Sequence, residues 1–254
     1  MSLRTAFETP ETKRRHVRRL FATIADRYDF ITVMLSFGQD ARWKARLVSM
    51  AQVTSGDCAL DLACGTGDLA FGLAARGART VGLDLTPRMV EIANRKQVIP
   101  STTVPAWRTP SGRPVSLPVC FLVGDMGALP FTPATFDVVT TGYGLRNVPD
   151  IATAIAEIAR VLRPGGQLLS LDFNRPRPAA VRALYLAYLI VVGSILGWAL
   201  HGDPDTYRYI PESIRRYPGA DGVAALLSAG GFTGVRVLPV LGGLMTLHLA
   251  RLPR

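Results

Sequence analysis

The sequence predicts an α/β fold on a doubly wound, mostly parallel sheet, and three observations carry that prediction. Between Cys58 and Phe173, short apolar runs of strand length alternate with segments of helical periodicity. The first run leads at once into a Gly-x-Gly turn, Gly65-Thr66-Gly67. The next ends on an acid, Asp84, 17 residues after Gly67. The chain has 254 residues, 48% of them hydrophobic, which suits one large domain or two small ones and excludes wholesale disorder. Its three cysteines (Cys58, Cys64, Cys120) form no Cys-x-x-Cys pair. They make neither a disulfide framework nor a zinc site, so no metal is expected and a reducing compartment fits.

The N-terminal part predicts helices. Leu20, Phe21, Ile24, Tyr28, Ile31 and Leu35 recur at spacings of three and four, forming one apolar stripe over residues 20 to 35. Trp43, Leu47, Val48 and Ala51 suggest a second helix, stopped near Ser55-Gly56. Strands follow at Cys58 to Ala63 and at Thr80 to Leu83, separated by a helix from Leu69 to Ala75. Thr86-Pro87 opens the next helix, with threonine as cap and proline at its first position. Residues 98 to 118 carry five prolines and read as a loop or insertion. Further strands are expected at Cys120 to Val123, Phe136 to Thr141 and Gln167 to Phe173, with a helix from Ile151 to Leu162. Asp221 to Ala229 reads as helix, and Val235 to Leu238 and Met245 to Ala250 as the last strands.

Ala183 to Leu200 is 18 residues without a formal charge. At 1.5 Å per residue it reaches about 27 Å, slightly short of a bilayer's apolar core. A buried or interfacial helix lining an apolar pocket is the preferred reading, and a membrane span the alternative.

The order strand, glycine turn, helix, strand, acid has a physical logic. Glycines let backbone N–H groups approach a ligand at a positive helix terminus, and a carboxylate on the next strand accepts ribose hydroxyls. A dinucleotide fingerprint would place glycine three residues after Gly67, where Ala70 stands. Gly-x-Gly by itself also fits a tight turn without a ligand. Cys64, inside this turn, is read as structural.

Leu60 to Asp68 resembles the first motif of class I S-adenosylmethionine-dependent methyltransferases. Gly124-Asp125-Met126, with Leu129-Pro130-Phe131 and Phe136-Asp137, resembles their adenine-binding segment, and Leu162 to Gly166 the motif before their fifth strand. Phe21 to Asp29, Ser36-Phe37-Gly38 with Trp43-Lys44, Gly144 to Val148, and Glu212 to Pro218 are similar to signatures of the quinone-ring C-methyltransferases of menaquinone and ubiquinone biosynthesis. These segments run from residue 20 to 250 in that family's order. Thr32 and Gly142 depart from it, and the 98–118 insertion is longer than the family's loop.

The resemblance implies a Rossmann-like class I methyltransferase: a seven-stranded sheet with N-terminal helices and an apolar helical insertion at about 177–216. As one methyltransferase domain it would comprise a helical cap (1–55), a cofactor core (56–175), a substrate- and membrane-facing insertion (176–218) and a C-terminal helix with strands (219–254). S-adenosylmethionine would be held by Asp61, Gly65, Thr66, Gly67, Asp84, Asp125 and Met126. Arg146 and Asn147 would be catalytic, the arginine stabilising a phenolate or polarising a water that takes its proton. His201 is a second candidate base, more simply a capping histidine, and Tyr207 and Tyr209 match substrate-side positions. The expected acceptor is a prenylated quinol, with a lean toward naphthoquinols; another lipophilic phenol or nucleic acid is the alternative.

The charge is +10, and residues 1 to 46, with ten Lys/Arg against five acids, hold half of it. A solvated basic face, a nucleic-acid patch and attraction to anionic headgroups all fit that charge. Lack of aromatic–basic interleaving argues against nucleic acid. Asp26, Arg27 and Asp29 interrupt any export signal. The expectation is therefore a cytoplasmic protein held peripherally on the inner face of the membrane, with a homo-oligomer as an open alternative to a monomer.

Overall fold

A computed structural model describes residues 5–98 and 118–254. The loop read at 98–118 falls, apart from its two ends, outside them. The cap comprises α1 (Pro10–Ile24), α2 (Tyr28–Leu35) and α3 (Asp40–Met50). The core runs β1 (Cys58–Leu62), α4 (Asp68–Ala74), β2 (Arg79–Asp84), α5 (Pro87–Val98), β3 (Cys120–Val123), β4 (Phe136–Gly142), α6 (Ile151–Val161) and β5 (Leu162–Phe173). Then come α7 (Ala179–His201), α8 (Tyr209–Arg216), α9 (Gly219–Ala229), β6 (Thr233–Val240) and β7 (Met245–Arg251).

The seven strands lie in the order β3-β2-β1-β4-β5-β7-β6. Only β7 is reversed, pairing antiparallel with both β5 and β6. One face of the sheet is covered by α2, α3, α4 and α7 through a core that includes Ile31, Leu47, Leu73 and Leu189. The other is covered by α6 and α9 through Ile155, Ile158, Val223 and Leu227. The order reverses between β1 and β4, where crossovers leave the sheet on opposite sides. A crevice therefore opens at the carboxyl ends of these two strands.

Three expectations change. The stripe at 20–35 is shared by two helices, because a 3-10 turn at Ala25–Arg27 breaks the run. That turn is pinned from outside: Asp26 pairs with Arg88 at 2.6 Å, and the Arg27 guanidinium donates to the Leu200 carbonyl. The fifth strand starts at Leu162, five residues earlier than expected. Leu162 pairs with Phe136 and Gln167 with Val138, so Arg163 to Gly166 bulge out of the ladder opposite Asp137. Gly165, at φ +82°, turns that bulge. Finally, α7 is longer than the uncharged run, and it packs a stripe of Tyr185, Leu189, Gly193 and Leu196 into the domain. Gly193 and Gly197 lie so close to the following loop that an added Cβ would come within 3.2 Å of Tyr207 and 2.5 Å of the Asp203 carbonyl oxygen. The helix belongs to the fold.

The cap is locked to the core by charge. Lys44 of α3 is buried, with its Nζ 2.6 Å from Asp40 and 2.9 Å from Asp68, the first residue of α4. Burial alone would favour its neutral form, but the two carboxylates outweigh that and hold the ammonium protonated. Asp40 also accepts the Tyr143 hydroxyl at 2.6 Å. Removing the cation would strand the buried Asp40 and leave Asp68 with Lys96 alone at 3.5 Å, an effect of about 3–5 kcal/mol. Lys44→Met is therefore expected to lower the melting temperature by roughly 10 °C, measured by calorimetry. A wild-type-like melt would show that the pair does not hold the cap.

Candidate active site

The site begins at the end of β1. Ala63, Gly65 and Gly67 all take positive φ, so the backbone turns sharply and returns as α4. Gly67 is required at φ +94°: a Cβ there would lie 2.8 Å from the rings of both Phe121 and Phe71. Ala63 (φ 51°) and Tyr143 (φ 60°), just beyond β4, adopt the left-handed region without being glycine. Strained backbone of this kind costs about 1–3 kcal/mol per residue and gathers at functional sites. Both residues line the crevice.

That crevice is walled by Gly65, Asp84, Thr86, Asp125, Met126 and Asn147 among others, with Arg14 and Val17 of α1 above. Asp84 is oriented by two backbone donors, the Gly65 N–H at 2.9 Å and the Thr86 N–H at 2.8 Å. Burial raises its pKa, and these donors oppose the rise. Asp125 accepts the Gly127 N–H at 2.8 Å and pairs with Arg14 Nε at 2.6 Å. The basic run of α1 thus reaches over the crevice. Lys13 donates to the carbonyls of Val148 (2.5 Å) and Arg146 (3.2 Å), and burial and nearby arginines lower its pKa to about 8.

A smaller annex continues from the crevice past Tyr28, Ala63, Gly65 and Tyr143 to Lys44, Asp61, Thr66 and Asp68. Asp61 is buried there. Its Oδ1 accepts the Thr140 hydroxyl at 2.8 Å, while its Oδ2 has no hydrogen-bond partner. Burial lifts its pKa to about 7, against Thr140 and Lys44. An orphaned buried carboxylate oxygen calls for a donor, and the α-ammonium of S-adenosylmethionine is one of the right charge. The residues therefore fit the cofactor, which Asp61 would hold at the amino-acid end, Asp84 at the ribose, and Asp125 and Met126 at the adenine.

A second, narrower cavity lies behind Tyr28 and Tyr143. Its walls are mostly apolar (Phe21, Ile24, Ile31, Leu35, Phe173, Ile210), with the tyrosines Tyr207 and Tyr209 and one cation, Arg146. They come from α1, α2, β5, α8 and the segments before α8 and after β4; the pocket-lining helix expected at 183–200 contributes none of them. Arg146 is buried, with its Nε 3.2 Å from Asp172, its Nη1 2.6 Å from Ser213, and its guanidinium 4.9 Å above the Phe173 ring. Burial raises the pKa of Asp172, and Arg146 opposes the rise.

Of the expected site residues, Gly65, Asp84, Asp125 and Met126 meet in the crevice, and Asp61 and Thr66 in the annex. The Thr66 hydroxyl donates to Asp29 at 2.6 Å. Gly67 shapes the turn from behind. The two expected catalytic neighbours part company: Arg146 faces the second cavity, while Asn147 faces the crevice and donates to the Tyr143 carbonyl at 2.8 Å. His201 stands behind the cavity wall, its Nε2 2.8 Å from the Tyr207 hydroxyl. Sequence reasoning missed Tyr143, and it gave Tyr28 no role although the residue stands in one of the family signatures. The two rings share both cavities and divide them. Lys13 and Arg14 were legible only as part of a basic run.

Below pH 7 the free carboxyl of Asp61 is protonated and loses its attraction for an ammonium group. Cofactor affinity measured by calorimetry is expected to rise about tenfold between pH 6 and pH 8. Asp61→Asn should weaken it by about ten- to a hundredfold and flatten the profile. An unchanged profile in the variant would assign the titration elsewhere.

The chain is similar to known proteins along most of its length. Residues 9–251 match the model of the ubiE/COQ5 methyltransferase family. A demethylmenaquinone methyltransferase of Thermus thermophilus is 39% identical over 92% of this chain and 100% of its own length. The ubiquinone/menaquinone biosynthesis C-methyltransferase UbiE of Zymomonas mobilis is 31% identical over 94% of this chain and 93% of its own. Among solved structures, an S-adenosylmethionine-dependent methyltransferase of Thermotoga maritima, described as a possible histamine N-methyltransferase, superposes with a TM-score of 0.62 at 17% identity, covering 93% of this chain and 99% of that one. A putative methyltransferase of Methanococcus maripaludis gives 0.61 at 18%, covering 92% and 94%. The fold is that of the S-adenosylmethionine-dependent methyltransferases, and the chain belongs to the ubiE/COQ5 methyltransferase family.

Proposed function

We propose that this protein transfers a methyl group to a ring carbon of a prenylated quinol, the conversion of a demethylmenaquinol to a menaquinol being the favoured case. One observation carries the reading: an apolar cavity with a single buried guanidinium, Arg146, abuts the cofactor crevice across Tyr28 and Tyr143. When bound, S-adenosylmethionine supplies an electrophilic methyl group on a sulfonium centre. The protein's own residues must bring a ring carbon to that partition and make it nucleophilic.

An aromatic quinol becomes a carbon nucleophile when a phenolic proton leaves and charge spreads into the ring. Arg146 stabilises that charge in a cavity with little water, where a fixed cation acts strongly. Asp172, Ser213 and the Phe173 ring fix the guanidinium, so little reorganisation accompanies the reaction. The Tyr143 hydroxyl is committed to Asp40, and burial pushes the Tyr28 phenol up to about 12, so both stay neutral and position the ring rather than deprotonate it. The aliphatic walls from Ile24, Ile31, Leu35 and Ile210 suit the first units of a prenyl tail. The ring carbon that gains the methyl group gives its proton to solvent while the oxygen regains one, so the aromatic quinol returns with one proton released overall and S-adenosylhomocysteine as the other product.

The test is transfer of label from S-adenosylmethionine to reduced demethylnaphthoquinol and demethoxybenzoquinol with short prenyl tails. Label on the naphthoquinol ring is expected; none on either ring, with cofactor affinity intact, would overturn the acceptor. Arg146→Lys keeps a charge but loses the planar fork, and it should lower kcat by about 10²–10³. Because Arg146 stands outside the cofactor crevice, cofactor affinity should not move. A loss of both would make the residue a structural one.

A further inference from the structure

The cap exposes apolar surface that the soluble fold does not use. On α2 and just beyond it, Phe30, Val33, Met34 and Phe37 are all exposed, Phe30 and Phe37 at 52%. On α7, the exposed residues Val181, Leu184, Val191, Ile195 and Trp198 recur at helical spacings on one stripe, with Leu184 at 75% and Trp198 at 70%. The two stripes join where the Phe37 and Tyr188 rings stack, with centroids 5.1 Å apart. A contiguous apolar face of this kind marks an interaction site. It does not mark a span, since the neighbouring stripe of α7 is packed into the domain.

Charge indicates what covers it. Arg27, which donates to the Leu200 carbonyl at the end of α7, is exposed, and a groove at Ile190, on the side of α7 turned away from the stripe, carries Arg15 and Arg19. Arg18 and Arg42, also on the cap, are exposed. An apolar stripe beside cationic side chains is the pattern of a helix lying in the interfacial plane of an anionic bilayer. A second copy of this protein would bring equal positive charge to the same face. The inner side of α2 supplies a further argument: Ile31 and Leu35, opposite the exposed stripe, wall the cavity that holds Arg146.

We infer that α2 and α7 form a monotopic docking face for an anionic lipid leaflet, through which a membrane-dissolved acceptor reaches the cavity beneath α2. The acceptor route rests on the function proposed above; the docking face does not.

The experiment is flotation of the whole protein with phosphatidylglycerol–phosphatidylcholine vesicles and with phosphatidylcholine alone. Trp198 emission, which should shift to the blue on binding, is read alongside. The wild type is expected to float with the anionic vesicles and to be partly released by salt. Ile195→Asp and Leu184→Asp, at exposed sites and checked for an unchanged melt, should each weaken binding by about tenfold or more. They should spare methyl transfer to a short-tailed acceptor in solution while lowering it, by about the factor lost in binding, on a long-tailed acceptor in vesicles. No vesicle binding by the wild type would overturn the docking face. So would binding that these substitutions leave intact, or a dimer in solution that they dissociate. Vesicle binding with no transfer to either quinol would keep the face and refute the acceptor.

Discussion

The buried ammonium of Lys44 is the interaction on which the site depends. It holds Asp40 of its own helix and Asp68 at the start of α4, so the cap and the glycine turn are fastened at one point. Asp40 then fixes Tyr143, and Asp68 lies 3.5 Å from Lys96, which pairs in turn with Asp29, the partner of Thr66. Asp40, the fully buried carboxylate of this series, is poor company for an apolar core unless its cation is present. The partition between the two cavities is therefore held by charges several residues away from the reacting atoms.

Electrostatics in the site follows a division of labour. On the cofactor side, backbone N–H groups aim Asp84 and leave Asp61 half satisfied, so that side offers negative charge to a cationic ligand. On the acceptor side the charge lining the cavity is Arg146, suited to an anion that forms during reaction. Placing the two on opposite sides of a pair of neutral tyrosines keeps them from cancelling. Desolvation strengthens both.

Much of the fold was legible because parallel strands buried on both faces read as short apolar runs, and because glycines and prolines punctuate them. The placement of the turn at Gly65 and Gly67 and of the acids Asp84 and Asp125 was legible for a related reason: it depends on position along one strand and its loop. The contacts of Thr66 and Tyr143 were not, since each is made to a partner distant in sequence. Thr66 meets Asp29, 37 residues away, and Tyr143 meets Asp40, 103 residues away. The break at Ala25–Arg27 escaped notice because apolar periodicity is preserved across it, whereas the ion pair with Arg88 and the bond to Leu200 are tertiary.

Helix α2 has only eight residues, yet its two sides answer to different surroundings: Ile31 and Leu35 face the acceptor cavity, and Phe30, Val33 and Met34 face outward. One residue added or removed would rotate everything after it by about 100°. The outward stripe would then turn toward the cavity and the cavity wall toward the outside, with composition nearly unchanged. Point substitutions in this helix are graded changes, whereas an insertion or deletion is a discontinuity. Length, more than identity at any one position, is what this segment cannot vary.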